Sequence, residues 1–268
     1  MEIVDKITSI NTNYLAYALI ALFYTVEQIL SSKLLSNEKK VKHLLHNIPF
    51  EIVTFIVNLF WAAVVVASIE WLNTNHIGFF YYITIPVWLK LILGVALLDL
   101  TTYWFHRMSH NVPILWRFHR VHHSDTNMDS TTYFRAHPIE VLFWFGTSNI
   151  VASAIFGLDL LTLGLYVLVV TPFLVIEHID VNLPDWLDKT LGWIFTTPNL
   201  HKVHHEQDEH FTNSNYADIF ILWDRLFGTF KHKPVEQITF GLKEFDHPKK
   251  QAFWYLLKSP FININKDQ

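Results

Sequence analysis

The chain contains no cysteine in 268 residues. Disulfides, zinc–thiolate fingers, iron–sulfur clusters and thiol nucleophiles are therefore excluded together, although the compartment is not identified. Charge is also scarce: Asp, Glu, Lys and Arg make up 16%, against about 25% in an ordinary soluble domain. The net charge of −4 offers no general attraction for nucleic acid. There is no G-x-G-x-x-G fingerprint, no H-E-x-x-H pair, no low-complexity tract and no internal repeat. What fills the chain is apolar, 51% hydrophobic with 22 Phe, 10 Trp and 10 Tyr. The outlier is histidine, with 16 residues.

The apolar residues fall in five runs: Tyr14 to Leu30, Ile52 to Ile69, Ile77 to Phe105, Val141 to Phe156 and Leu160 to Ile176. A helix needs about 20 residues to cross a bilayer core of about 30 Å. The second and third runs reach that length, and the others approach it with their flanks. Five such runs leave too little polar surface to cover them as buried helices of a soluble protein. The expected fold is all-α, a polytopic membrane protein of four or five spans. Lys33, Lys39, Lys40 and Lys42 separate runs one and two, whereas Leu72 to His76 and the Gly157–Asp159 turn carry no Lys or Arg. The positive-inside rule then puts the N-terminus outside, with Lys6 as its only basic residue, and the Lys-rich loop in the cytoplasm. Runs four and five become a hairpin starting and ending there. Lys90 lies near the outer end of a span from Pro86 to Phe105 and snorkels outward, with Phe79 to Tyr82 at the outer interface. The acidic N-terminal tail reads as no signal peptide, so run one is expected to remain as an anchor. After Asp180 the chain turns polar and reads as a cytoplasmic helical cap continuous with the membrane part. The whole of 1–268 is expected to form a single domain, with a motif core at 99–230 and a C-terminal tail, 231–268, on the cap.

The histidines cluster where run three meets the cytoplasm. His106 and His110 are four apart, which puts both imidazoles on one helix face; Asp99 and Tyr103 precede them on that face. FHRVHHS brings His119, His122 and His123, and NLHKVHHEQ repeats the triplet as His201, His204 and His205. The topology read from Lys positions uses none of these eight, yet places all of them on one membrane face. Metal binding follows. Imidazole suits zinc, copper, iron and nickel, and eight imidazoles are too many for one tetrahedral zinc. Two metals with about four His each fit the count. Two bis-His haems need one His from each of several spans, which clustered triplets do not supply.

This constellation resembles the fatty acid hydroxylase/sterol desaturase superfamily of integral-membrane di-iron enzymes. Its motifs come in the family's order: DLTTYWFHRMSH at Asp99 to His110, WRFHRVHH at Trp116 to His123, RAHPIE at Arg135 to Glu140, an isolated His178, HKVHH at His201 to His205, and NYADIFILWDRLFGTF at Asn215 to Phe230. Within the superfamily, TPNLHKVHH with the later NYA and WDRLFGTF resembles alkylglycerol monooxygenase and related bacterial members. The resemblance implies two iron ions held by His106, His110, His119, His122, His123, His201, His204 and His205, with His178 as a ninth ligand. Some members carry another His where this chain has Asn182. His137, beside a proline, reads as a helix-start or supporting residue with a lesser claim to ligation. Asp125, Asp129, Glu140, Glu177 and Asp224 are candidates to orient imidazole N–H groups. His43, His46, His76, His210, His232 and His247 read as ordinary surface residues. The WDRLFGT stretch is expected to pack the cap against the membrane part with Gly228 at a turn, and His247 to Lys258 to lie at the interface or as a plain surface helix.

The implied activity is oxygen insertion into, or desaturation of, a lipid C–H bond. It uses dioxygen as co-substrate and electrons from a separate donor protein, with the lipid arriving from the bilayer at a cytoplasmic-side site. Two rivals remain. A membrane metal-binding or transport protein needs ionisable groups along its spans, and a metal-dependent lipid hydrolase needs a general-base Glu within a His pair.

Overall fold

The computed structural model describes residues 12–30 and 37–264, and among these the chain is helical with no strand. Lys6 and Lys33, which contribute to the orientation argument, lie outside the described residues. The apolar runs become α1 (Thr12–Leu30), α2 (Asn37–Thr74), α3 (Val87–Asn111), α5 (138–156) and α6 (Leu160–Ile176), while α4 (Pro113–His123) follows α3 directly. α5 contains a π-helical turn at Leu142–Gly146. Helices over 40–81, 87–111 and 138–156 are long and apolar enough to cross a membrane; α1 and α6 are apolar but shorter.

α2 corrects the sequence reading. The Lys-rich segment was expected as a loop, yet it is the first three turns of a 38-residue helix that continues through Pro49 into the apolar run. His43, Asn47 and Phe50 recur at helical spacing on a buried face, so His43 is not a surface residue. At 1.5 Å per residue α2 is roughly 57 Å long, well beyond a bilayer core of about 30 Å. Its polar end therefore projects past the membrane and packs on the cap.

At the other end of the bundle, α5 and α6 are joined by Gly157-Leu158-Asp159. Gly157 closes α5 with φ +74°, and Asp159 caps α6 by accepting from the Thr162 amide. Gly78 approaches so closely that a Cβ there would lie 2.0 Å from the Gly157 nitrogen. Lys90 pairs with Asp159 at 3.2 Å, and the Asn73 amide donates to the Leu158 carbonyl at 3.0 Å. Lys90 and the hairpin tip thus share one end of the molecule, and the histidine groups lie at the opposite end.

Val95 and Leu98 of α3, Ala152 of α5, and Tyr166 and Val170 of α6 form the bundle core, into which the cap inserts Ile219. Asp99, wholly buried in α3, accepts from the Ile219 and Phe220 amides at 3.1 and 3.0 Å and from Trp223 Nε1 at 2.8 Å. The WDRLFGT stretch does pack the cap onto the span. Asp224 accepts from the Tyr216 and Ala217 amides and the Thr229 hydroxyl, and Gly228 makes the turn at φ +72°. Asp224 therefore braces cap backbone and does not face an imidazole. The cap helices include α7 (Asp185–Leu191), α8 (Pro198–His204), α9 (Leu222–Leu226) and α10 (Phe253–Lys258), with a single helical turn at Glu209–Thr212. The C-terminal segment is no loose tail. Leu242, Phe245, Leu256 and Ile264 bury against Phe50 and Val121, with Trp254 of α10 facing outward.

Candidate metal centre

Four helix ends converge here. α3 supplies His106 and His110, α4 supplies His119, His122 and His123, the turn after α6 supplies His178, and α8 with its C-terminal cap supplies His201, His204 and His205. The chain brings these nine rings into two groups. One holds His106, His110, His119, His123 and His204; the other holds His122, His178, His201 and His205. Within each group the candidate ligand atoms lie within 4.8 Å of one another.

Helix geometry explains the division. On a helix, residues i and i+4 are ~40° apart, while i+3 lies ~60° to the other side of i. In α4, His119 and His123 therefore face one group and His122 the other. In the second triplet His201 and His205 face the group that receives His122, and His204 crosses to the group of His119 and His123. Each triplet gives a pair to one group and a single ring to the other, so the two groups are interlocked.

The nitrogen chemistry tests the fit to a metal. Two nitrogens ~2.1 Å from one ion and 90–110° apart are themselves ~3.0–3.4 Å apart. His119 Nε2 lies 3.1 Å from His106 Nε2 and 3.1 Å from His123 Nε2. In the other group the chain His122, His178, His201, His205 runs through Nε2–Nε2 separations of 3.1, 3.2 and 3.1 Å. Five of the outward nitrogens are occupied elsewhere, while Nδ1 of His123, His201 and His205 is buried without a hydrogen-bond partner. Nδ1 of His106, His178 and His204 donates to the carbonyls of Tyr216, Leu174 and Ser214 at 2.6–2.7 Å, and His110 Nδ1 donates to Asn213 at 3.2 Å. His119 Nδ1 donates to Glu140. A ring that donates from Nδ1 presents a lone pair at Nε2, and the Nε2 atoms of His110 and His204 are buried with no hydrogen-bond partner. Inward lone pairs repel one another unless a cation lies between them. The cluster is able to bind metal, and an all-imidazole donor set suits iron, zinc, copper or nickel.

Burial and like neighbours hold the rings neutral. His119, His122, His123, His201 and His205 are pushed well below the ordinary imidazole value, chiefly by burial and then by adjacent histidines. Burial lowers His178 to about 4 and His204 to about 3. Neutral imidazole is the metal-binding form. Trp144 packs on His106 and His119, and Trp116 on His110 and His123, which walls the five-histidine group with aromatic surface. His122, in the four-histidine group, is only partly buried.

Of the five candidate orienting carboxylates, two face imidazoles of the groups. Glu140 meets His119, and Glu177 lies 3.5 Å from His201 Nδ1 and 3.7 Å from His178 Nδ1. Asp125 and Asp129 instead hold His43, at 2.8 and 2.9 Å. Arg135 supports the same knot through Asn47, Ser124 and Gln251, and Glu27 closes it by accepting from Ser130 and the Asp180 amide. Sequence reasoning missed this network behind the second histidine box. Its signal was the helical spacing of His43, Asn47 and Phe50. His137 joins neither group: its Nδ1 accepts the Ile139 amide at a helix start and its Nε2 donates to Leu257. Asn182 accepts from the buried Lys202 at 2.7 Å and belongs to neither group.

A helical membrane protein with paired all-histidine groups at one end of its bundle defines a narrow class. The chain belongs to the fatty acid hydroxylase family, whose sequence model matches residues 91–229. It is similar to alkylglycerol monooxygenase of Xenopus tropicalis, 34% identical over 159 residues, which is 58% of this chain and 32% of that protein. It is also similar to the Homo sapiens alkylglycerol monooxygenase, 31% identical over 63% of this chain and 36% of that one. Ornithine lipid hydroxylase OlsE of Rhizobium tropici is 33% identical over 56% of this chain and 44% of its own length. The matched region thus spans about a third of the alkylglycerol monooxygenases and less than half of the hydroxylase. No solved structure matches the chain.

Proposed function

We propose that this chain is a membrane-bound di-iron oxidoreductase that hydroxylates a lipid with dioxygen and electrons from a separate donor protein. The observation that carries the reading is the convergence of nine Nε2 atoms in two interlocked groups at one end of a membrane bundle. His106, His110, His119, His123 and His204 would hold one iron, and His122, His178, His201 and His205 the other. Two iron ions bound there would supply the dioxygen activation that side chains alone cannot provide.

The protein's own part is positioning. Glu140 fixes the His119 ring from Nδ1, the carbonyls of Tyr216, Ser214 and Leu174 do the same for His106, His204 and His178, and Glu177 lies beside His201 Nδ1 at 3.5 Å. Trp144 and Trp116 keep water from the five-histidine group. Four imidazoles leave more coordination room than five, so we place the substrate at the His122 side. The Lys-rich start of α2 supports a cytoplasmic histidine-bearing end, and we take the chain as one domain built around 99–230.

Hydroxylation is favoured over desaturation because the relatives are named as a monooxygenase and a lipid hydroxylase. Membranes supplied with iron, a reducing system and labelled dioxygen should yield lipid carrying one labelled oxygen. Desaturated product with no label would place the chain among desaturases. Turnover without dioxygen would overturn the oxidase reading in favour of hydrolysis.

A further inference from the structure

We propose that part of the cap, the strip 219–227 with the adjoining turn 193–195, is a re-entrant element that lies in the hydrocarbon of the leaflet at the histidine-bearing end and contacts acyl chains directly. Composition alone sets everything after Asp180 in water, but depth along the helices sets this strip in lipid. The Lys90–Asp159 pair, which joins α3 to the start of α6 at 3.2 Å, gives both helices a common origin at the end away from the histidines. Exposed Trp71, Tyr82 and Trp88 mark the membrane boundary there. At 1.5 Å per residue Asp99 lies roughly 14 Å along α3 from Lys90. Trp104 and Phe173 are each 14 residues on from the pair, or roughly 21 Å. All three levels fall inside a hydrocarbon core of about 30 Å, and helix tilt only makes them shallower from that boundary.

The cap reaches each of these levels. The Phe220 amide and Trp223 Nε1 donate to Asp99 at 3.0 and 2.8 Å. The Phe227 ring lies 4.9 Å from Trp104, and the Phe195 ring lies 5.8 Å from Phe173. The outward faces beside these contacts are apolar. Leu222 and Leu226, one turn apart on α9, are both exposed, Leu226 by 69%, and Trp193 is exposed by 65% next to exposed Ile194. Arg225 does not interrupt this surface. Its guanidinium is covered by the Phe230 and Trp193 rings at 3.7 and 4.7 Å and donates to the Gly192 carbonyl at 2.7 Å.

Irregular backbone at this depth is tolerated only where the protein itself satisfies its N–H and C=O groups. That requirement accounts for two buried carboxylates and a threonine. Asp99 takes the Ile219 and Phe220 amides, and Asp224 takes those of Tyr216 and Ala217. The Thr196 amide and hydroxyl donate to the Ile219 and Ala217 carbonyls at 2.9 and 2.7 Å. A strip bathed in water needs none of these partners. A second copy of the chain is not needed as a cover either. Trp104, itself exposed on α3, continues the α9 face into the surface of the span, so the bilayer that surrounds α3 also covers α9. Lipid packing on the strip bears on the histidines, because the Tyr216 carbonyl just before it holds His106 Nδ1 at 2.7 Å.

The absence of cysteine permits a direct depth measurement. Trp193→Cys, Leu222→Cys and Leu226→Cys, each carrying a nitroxide, are placed in phospholipid nanodiscs that hold one chain apiece. Collision with dissolved oxygen should exceed collision with a water-soluble nickel chelate at all three, as at Ile92→Cys on the exposed face of α3. The order should reverse at Glu209→Cys and Glu236→Cys, which are exposed elsewhere on the cap. A phospholipid with a diazirine in mid-chain should also label 222–227 of the unsubstituted chain, a readout that needs no variant. Nickel-dominated collision at 222 and 226, or photolabel confined to α2, α3, α5 and α6, would overturn the proposal. Protection that appears only in discs holding two chains would overturn it in favour of an interface between copies.

Discussion

His43 lies outside the family-matched region, so replacing it tests the three-dimensional arrangement directly. Its ring is 7% exposed and bridges Asp125, which is 1% exposed, and Asp129. Asp125 also receives the Thr132 hydroxyl and lies two residues beyond His123. Removing one partner of a buried charge pair costs about 3–5 kcal/mol, and the lower end applies here because Arg135 stays 3.5 Å from Asp125. At about 2–4 °C per kcal/mol for a chain of this order, His43→Ala should lower Tm by roughly 10 °C. His43→Leu restores much of the volume and should fall by a similar amount if the loss is electrostatic. Thermal unfolding in detergent reads the shift, and iron analysis reads its effect on the second histidine box, where content should drop below the parent's. In a cycle with Asp129→Asn, the second substitution should cost little once His43 is gone, giving a coupling of about 1 kcal/mol or more. A Tm within about 2 °C of the parent in both His43 variants would refute the clamp, since a surface residue shifts stability by only about 0.5 kcal/mol.

His122→Ala and His204→Ala should each lower iron below two per chain and abolish lipid oxidation, and full occupancy in either would remove that residue from its group. Glu177→Gln and Glu140→Gln should weaken metal retention or activity by about 10–100-fold through misdirected rings, read by iron content during chelator titration. Because the chain has no cysteine, single Cys at Asn75 and at His210 should label from opposite sides of the membrane, and labelling of both from one side would sink the span assignment. The metal-free protein should lose stability as pH falls through about 6.5, the ordinary imidazole value. Burial holds the cluster rings below that value, so the unfolded chain takes up protons that the folded chain does not. A Tm unchanged between about pH 7 and pH 5.5 after chelation would contradict this sign.

Local periodicity made the helices legible, and spacing made the histidines legible, because both follow from the angle between successive residues on one helix. His106 and His110 needed only the i, i+4 rule to share a group. The assignment of His122 away from His119 and His123 was harder. It depends on a second helix, α8, presenting the complementary set from the facing side, and spacing within one segment cannot show which triplet meets which. The His43 network was hidden for the same reason. Asp125 and His43 are 82 residues apart, and a Lys-rich stretch reads as solvated until tertiary packing shows which face turns inward. Choosing among the five carboxylates likewise needed contact, since Asp224 and Glu177 look alike in sequence. One braces the cap backbone at Tyr216 and Ala217, and the other faces His178 and His201. These two roles are linked through the cap. Asp99 and Asp224 fix the strip 216–224, and the Tyr216 carbonyl at its start holds His106 Nδ1 at 2.7 Å. The long motif after the last histidine box, which carries no histidine itself, therefore helps set the ring orientation of the first.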